Sequence, residues 1–136
     1  SIAHAENRTL WVICEDKVLV RDKPKKSSTA ISELTPGTAV TTDGKVRNGY
    51  VHCIDMANES GTGWVREIYM TDEQPEPIHR TATVISRGRL AARKWIGGER
   101  VRWLKPGQKV TVYWMTSEWA VTDRGYVMSR YLEVGE

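Results

Sequence analysis

Leu104-Lys105-Pro106-Gly107-Gln108-Lys109-Val110 decides how this chain is read, because an earlier stretch, Leu34-Thr35-Pro36-Gly37-Thr38-Ala39-Val40, has the same form. Downstream, Gly125-Tyr126-Val127-Met128-Ser129-Arg130-Tyr131-Leu132 repeats Gly63-Trp64-Val65-Arg66-Glu67-Ile68-Tyr69-Met70. Upstream, Leu90-Ala91-Ala92-Arg93 answers Val18-Leu19-Val20-Arg21. Three matched blocks in one order make an internal repeat. The spacing varies only between blocks. Arg21 and Leu34 are 13 positions apart against 11 for Arg93 and Leu104, and Gly37 and Gly63 are 26 apart against 18 for Gly107 and Gly125. Such differences belong in surface loops. Each copy runs to roughly 55–60 residues, the lower end of independently stable size.

The repeat sets the expected organisation: an N-terminal tail over 1–8, a first domain over 9–70, an acidic, Pro-containing linker over 71–78 and a second domain over 79–136. Composition is that of a globular chain, with 40% hydrophobic and 27% charged residues. No run approaches the roughly 18–20 apolar residues of a membrane span. The net charge of +3 is unevenly spread: residues 9–70 hold eight Lys and Arg against eight Asp and Glu, whereas 78–136 hold eleven against five. The second copy is therefore the basic one, a charge that serves solubility or attracts an anionic partner. Ala3-His4-Ala5 has the small-x-small form of a secretory cleavage site, with no apolar segment before it.

Within each copy the apolar residues come in short runs separated by turn chemistry. Leu10, Trp11, Val12 and Ile13 are strand formers, so Thr9–Cys14 reads as a first strand. Pro36-Gly37 and Pro106-Gly107 pair a preset φ with a residue that tolerates positive φ. Asp43-Gly44 reads as a hairpin turn. Lys109–Trp114 alternates strongly, and Trp119–Thr122 with Tyr126–Met128 forms a closing hairpin. No helical stripe of useful length appears, and many short strands at turn-rich spacing point to an all-β chain of two small barrels.

The ordered blocks resemble the bacterial SH3 family, whose repeats read Leu-x-Val-Arg, a polar loop, Leu-x-x-Gly-x-x-Val, Trp-x-x-Val and Gly-Trp-Val-x-x-x-Tyr-Leu. The resemblance covers about residues 9–134. Tyr50 and Tyr126 stand where the family has Trp, and Leu19 and Ala91 where Asn is common. The resemblance implies two tandem SH3-like β-barrels acting as non-catalytic targeting modules. It further implies a secreted or envelope setting and peptidoglycan or cell-wall peptides as ligands. A protein–protein or structural module, or an accessory region of a cell-wall hydrolase, is the alternative. Two tethered modules on one polymer would gain affinity through effective concentration.

Phe is absent, yet six Trp and five Tyr are present, and these carry the polar handles common at recognition surfaces. Mapped by block, the groove that the resemblance implies falls at Tyr50 and Tyr69 in the first copy and at Trp119 and Tyr131 in the second, with Trp95 and Arg93 beside it. The same rings could instead cap a barrel. The arginines of the second copy could hold carboxylates as bidentate forks. A basic aromatic surface also suits single-stranded nucleic acid, but no RNP-type block supports that.

Cys14 and Cys53 are candidates for one disulfide or for two buried thiols. A Cys53–His52 catalytic pair is disfavoured, because strand neighbours face opposite ways. His4, His52 and His79 share no metal-ligand spacing, and no phosphate-binding glycine loop is present, so no cofactor is expected.

Overall fold

The structure, a computed structural model, describes residues 7–136. The cleavage-like Ala3-His4-Ala5 and most of the expected tail lie outside the described residues. The chain is all-β, with two antiparallel seven-stranded sheets. The first contains β1 (Arg8–Val12), β2 (Val18–Arg21), β3 (Ala30–Leu34), β4 (Ala39–Arg47), β5 (Tyr50–Ile54), β6 (Gly63–Arg66) and β7 (Met70–Thr71). The second contains β8 (Glu76–Val84), β9 (Leu90–Arg93), β10 (Arg100–Leu104), β11 (Lys109–Met115), β12 (Trp119–Thr122), β13 (Gly125–Met128) and β14 (Leu132–Val134). Their orders are β3-β2-β6-β5-β4-β1-β7 and β10-β9-β13-β12-β11-β8-β14, one pattern used twice.

The repeated blocks make the same bonds in both sheets. In the Pro-Gly turns, Gly37 has φ 81° and Gly107 has φ 83°. Gly37 N–H donates to Val12 O and Gly107 N–H to Val84 O, each at 2.8 Å, and Thr38 and Gln108 close their turns onto Thr35 and Lys105. Pro sets the first φ and Gly supplies the positive one, the chemistry of a type II turn. After the Gly-aromatic-Val strand, each copy makes one short 3-10 turn, Glu67–Tyr69 and Ser129–Tyr131, before its last strand.

All seven strands of the second sheet contribute to one core cluster that includes Val84, Leu90, Leu104, Val112, Ala120, Val127 and Leu132. A flat sheet could not bring its two edge strands, β10 and β14, to one cluster, so the sheet curves around it. The first sheet likewise buries Leu10, Val12, Val20, Val40, Val51, Val65 and Met70. Each fully buried Val or Leu contributes about 1.5–3 kcal/mol, a large share of the stability of so small a unit.

Three expectations change. Asp43-Gly44 is not the hairpin turn: β4 runs on to Arg47, and Arg47 pairs with Tyr50 across Asn48-Gly49. Asn48 (φ 52°) and Gly49 (φ 77°) are both left-handed, as a two-residue hairpin of this hand requires. Gly44 (φ 86°) instead sits in the bulge between Thr42 and Val46. The expected linker is shorter, since Thr71 belongs to β7 and Glu76-Pro77-Ile78 to β8. Pro77 is tolerated because it pairs only with β11, opposite Trp114. Finally, the first strand ends at Val12, and Ile13–Glu15 group with the second unit, which otherwise runs from Pro75 to Glu136. There Ile13 packs with Val121 and Tyr126, and its carbonyl accepts the Tyr126 hydroxyl at 2.8 Å.

Candidate binding site

The site grows out of the β9–β10 hairpin of the second unit. Leu90 and Ala92 point into the core, so Ala91 and Arg93 lie on the other face of β9. Leu104 is fully buried, and its neighbour Trp103 therefore faces out, 41% exposed, paired across from Ala91. The Trp103 ring is flanked by two guanidiniums, Arg89 at 4.3 Å and Arg100 at 4.5 Å from the ring centre. Cation–π contacts at this distance are worth about 0.5–2 kcal/mol each, depending on desolvation. Stacking uses the guanidinium face and leaves its in-plane N–H donors for other partners.

Beside this stack opens a cleft of about 570 Å³. Trp103, Met128 and Tyr131 supply its apolar and aromatic walls, with Ile85, Leu90 and Ala91, and Arg87, Arg89 and Arg93 supply its charge. Tyr131 is positioned by the last 3-10 turn, where its carbonyl accepts the Ile85 N–H at 2.8 Å. Arg130 stacks on the Tyr131 ring at 4.7 Å and donates to its hydroxyl at 2.8 Å. Ala91 matters by its size, since the matching first-copy residue is Leu19, 40% exposed.

Of the six residues expected to bind ligand, the structure brings Tyr131 and Arg93 to this cleft. Arg93 also braces the neighbouring loop. Its Nη1 donates to Gly98 O at 2.9 Å and holds residues 94–99, just as Arg21 Nη1 holds Ser28 O in the first copy at 2.6 Å. Trp95 builds that loop, packing so closely on Gly98 that any Cβ there would strike its indole ring. Trp119 is half-buried against the Ile13, Val121 and Tyr126 cluster, beside Ile96 and Trp114. Tyr50 is buried, 4% exposed, beneath Arg66, its partner across the strand pair, whose guanidinium lies 5.9 Å over its ring. Tyr69 is half-buried in the first 3-10 turn.

Block matching to the family passes over Trp103, Arg89 and Arg100. The repeat holds the signal for them. Leu104 aligns with Leu34, so Trp103 aligns with Glu33, and a position that carries a charge in one copy faces water in the other.

Cys14 and Cys53 are buried thiols, not a disulfide. Burial, assisted by the negative charge of Asp43, pushes the Cys53 pKa up to about 11, so this thiol stays protonated at neutral pH and is a poor nucleophile. Neighbouring His52 faces the other way. Its Nδ1 lies 2.7 Å from Asp43 Oδ2 and its ring 4.7 Å from that of Trp64. Among the described residues no group of three or more His, Cys, Asp or Glu is placed to hold a metal ion, and no helix is long and apolar enough to cross a membrane.

No family model matches the sequence, and no curated protein matches it. Among solved structures the chain is similar to NlpC1 from Trichomonas vaginalis, at 12% identity and a TM-score of 0.43, over 98% of this chain and 48% of that one. It is also similar to NlpC2 from Trichomonas vaginalis, at 10% identity and a TM-score of 0.43, over 96% of this chain and 49% of that one. The chain thus spans about half the length of each of these two proteins, and likeness at this level bears on neither activity nor ligand.

Proposed function

We propose that this chain is a non-catalytic binding protein of the bacterial cell envelope, secreted or envelope-associated. In this reading it is built from two tandem SH3-like barrels and recognises peptidoglycan or its peptides through the second unit. The doubled strand order, the curved sheet around one core and the 3-10 turn before each last strand support the barrel reading. The observation that carries the binding reading is the aromatic cleft of the second unit, where Trp103 and Tyr131 stand beside Met128 with arginines at the rim. Flat rings grip peptide or sugar faces, and a few polar groups fix orientation. The test is sedimentation with purified, protein-free peptidoglycan. The intact chain is expected to sediment, and Trp103→Ala/Tyr131→Ala, with an unchanged circular dichroism spectrum, is expected to stay in solution. No sedimentation of the intact chain at moderate salt would reject the wall ligand and leave a protein partner as the occupant of the cleft.

A further inference from the structure

We infer that Arg89, Trp103 and Arg100 form an oxyanion site at the rim of the second unit's cleft, for carboxylate or phosphate groups carried on a polymeric ligand. The inference rests on the binding reading above only for the identity of that polymer. Three independent observations support it. First, one indole ring holds two guanidiniums, at 4.3 and 4.5 Å, a contact that restricts the rotamers of two long side chains before any ligand arrives. Pre-ordered forks lose less entropy on binding, and their planar donors match carboxylate and phosphate oxygens. Second, the charge is unspent: among the described residues no carboxylate forms an ion pair with Arg87, Arg89 or Arg100.

Third, the arrangement is particular to one copy. The repeat aligns Arg89 with Lys17, Ala91 with Leu19, Arg100 with Ala30 and Trp103 with Glu33. Lys17 and Glu33 neutralise each other at 2.7 Å, and the larger, exposed Leu19 stands at the position of Ala91. At these four positions the first unit thus carries no net charge and the second carries two positive charges beside an exposed Trp. A charge spread for solubility alone would not single out the positions around one exposed Trp.

The test uses the full chain and four probes at roughly 150 mM salt: poly-L-glutamate, inorganic polyphosphate, native peptidoglycan, and peptidoglycan with its carboxyl groups amidated. Arg89→Gln/Arg100→Gln is compared with Arg80→Gln/Lys105→Gln, which removes equal charge from exposed positions outside the cleft. The intact chain is expected to bind at least one soluble polyanion, the cleft variant about tenfold more weakly, and the control within about twofold of the intact chain. Trp103→Leu keeps both charges and loses the stack, and a severalfold loss is expected. Preference for polyglutamate assigns carboxylate, and preference for polyphosphate assigns phosphate. Equal loss in the two double variants, or no binding to either polyanion, overturns the site. Peptidoglycan binding that survives both amidation and the cleft variant also overturns it, while leaving the wall-binding reading standing. Arginine-dependent polyanion binding without peptidoglycan binding does the reverse.

Discussion

Lys17 Nζ lies 2.7 Å from Glu33 Oε2, at the two repeat positions that the second unit gives to Arg89 and Trp103. Both partners are 52% exposed, and the hydrogen bond and charge of Glu33 raise the Lys17 pKa. Solvated pairs of this kind add little to stability. Lys17→Ala/Glu33→Ala is therefore expected to leave the thermal midpoint and ligand binding unchanged. The converse exchange is more informative: Lys17→Arg/Leu19→Ala/Ala30→Arg/Glu33→Trp rebuilds the second unit's rim on the first. Titration with a soluble polyanion should then give two sites per chain in place of one.

Gly125 has φ 131°, and a Cβ there would lie 2.8 Å from the Arg93 carbonyl oxygen. Backbone cannot yield as a flexible side chain can. Gly125→Ala should cost about 3 kcal/mol, through strain and displacement of β13 from β9. Gly107 (φ 83°) faces open space, so Gly107→Ala should cost only the left-handed strain, about 1 kcal/mol. Denaturant unfolding of the two variants measures the difference.

Burial of both thiols, with the raised pKa of Cys53, makes them inert in the folded chain. A thiol-reactive dye at neutral pH should label neither Cys14 nor Cys53 until denaturant is added. Without reductant, the unfolded chain should then take up two equivalents. One finding would contradict this: a mass two units lower than that of the dithiol, with no label taken up.

Burial works against the Asp43 carboxylate, but hydrogen bonds from His52 and from the Lys45 N–H, with the charges of both residues, outweigh it and lower its pKa. A carboxylate whose folded pKa is depressed stabilises the fold above its unfolded pKa, about 3.9, and loses that contribution as pH falls through the folded value. Asp43→Asn should cost about 1 kcal/mol at neutral pH. The gap from the parent should close below about pH 4, as read from unfolding midpoints across the acid range.

Much of this fold is legible because the chain states it twice. Pro36-Gly37 and Pro106-Gly107 carry their turn type in their chemistry, and the structure gives both the same bonds. Asp43-Gly44 misleads because two dipeptides a few residues apart can each close a hairpin, and pairing register, a long-range property, selects Asn48-Gly49. Tyr50 and Trp119 carry the right chemistry for a groove, but side-chain direction depends on packing. Tyr50 is buried beneath Arg66, and Trp119 lies against Val121 and Tyr126. Trp103 is legible from strand alternation alone, one position before a core leucine.

Strand β10 ends its sheet and exposes four of its five residues, Arg100, Val101, Arg102 and Trp103. An edge with an exposed Val and Trp is a template on which another chain could add a strand. Like-charged arginines at alternate positions make self-association along this edge repulsive, since a second copy would bring its own arginines opposite them. The residues that attract an anion thus also act as gatekeepers of the dispersed state. Screening or neutralising them would release the edge for cross-chain pairing, so a polyanion near charge equivalence would act on this protein as a precipitant, and excess polyanion would redissolve it.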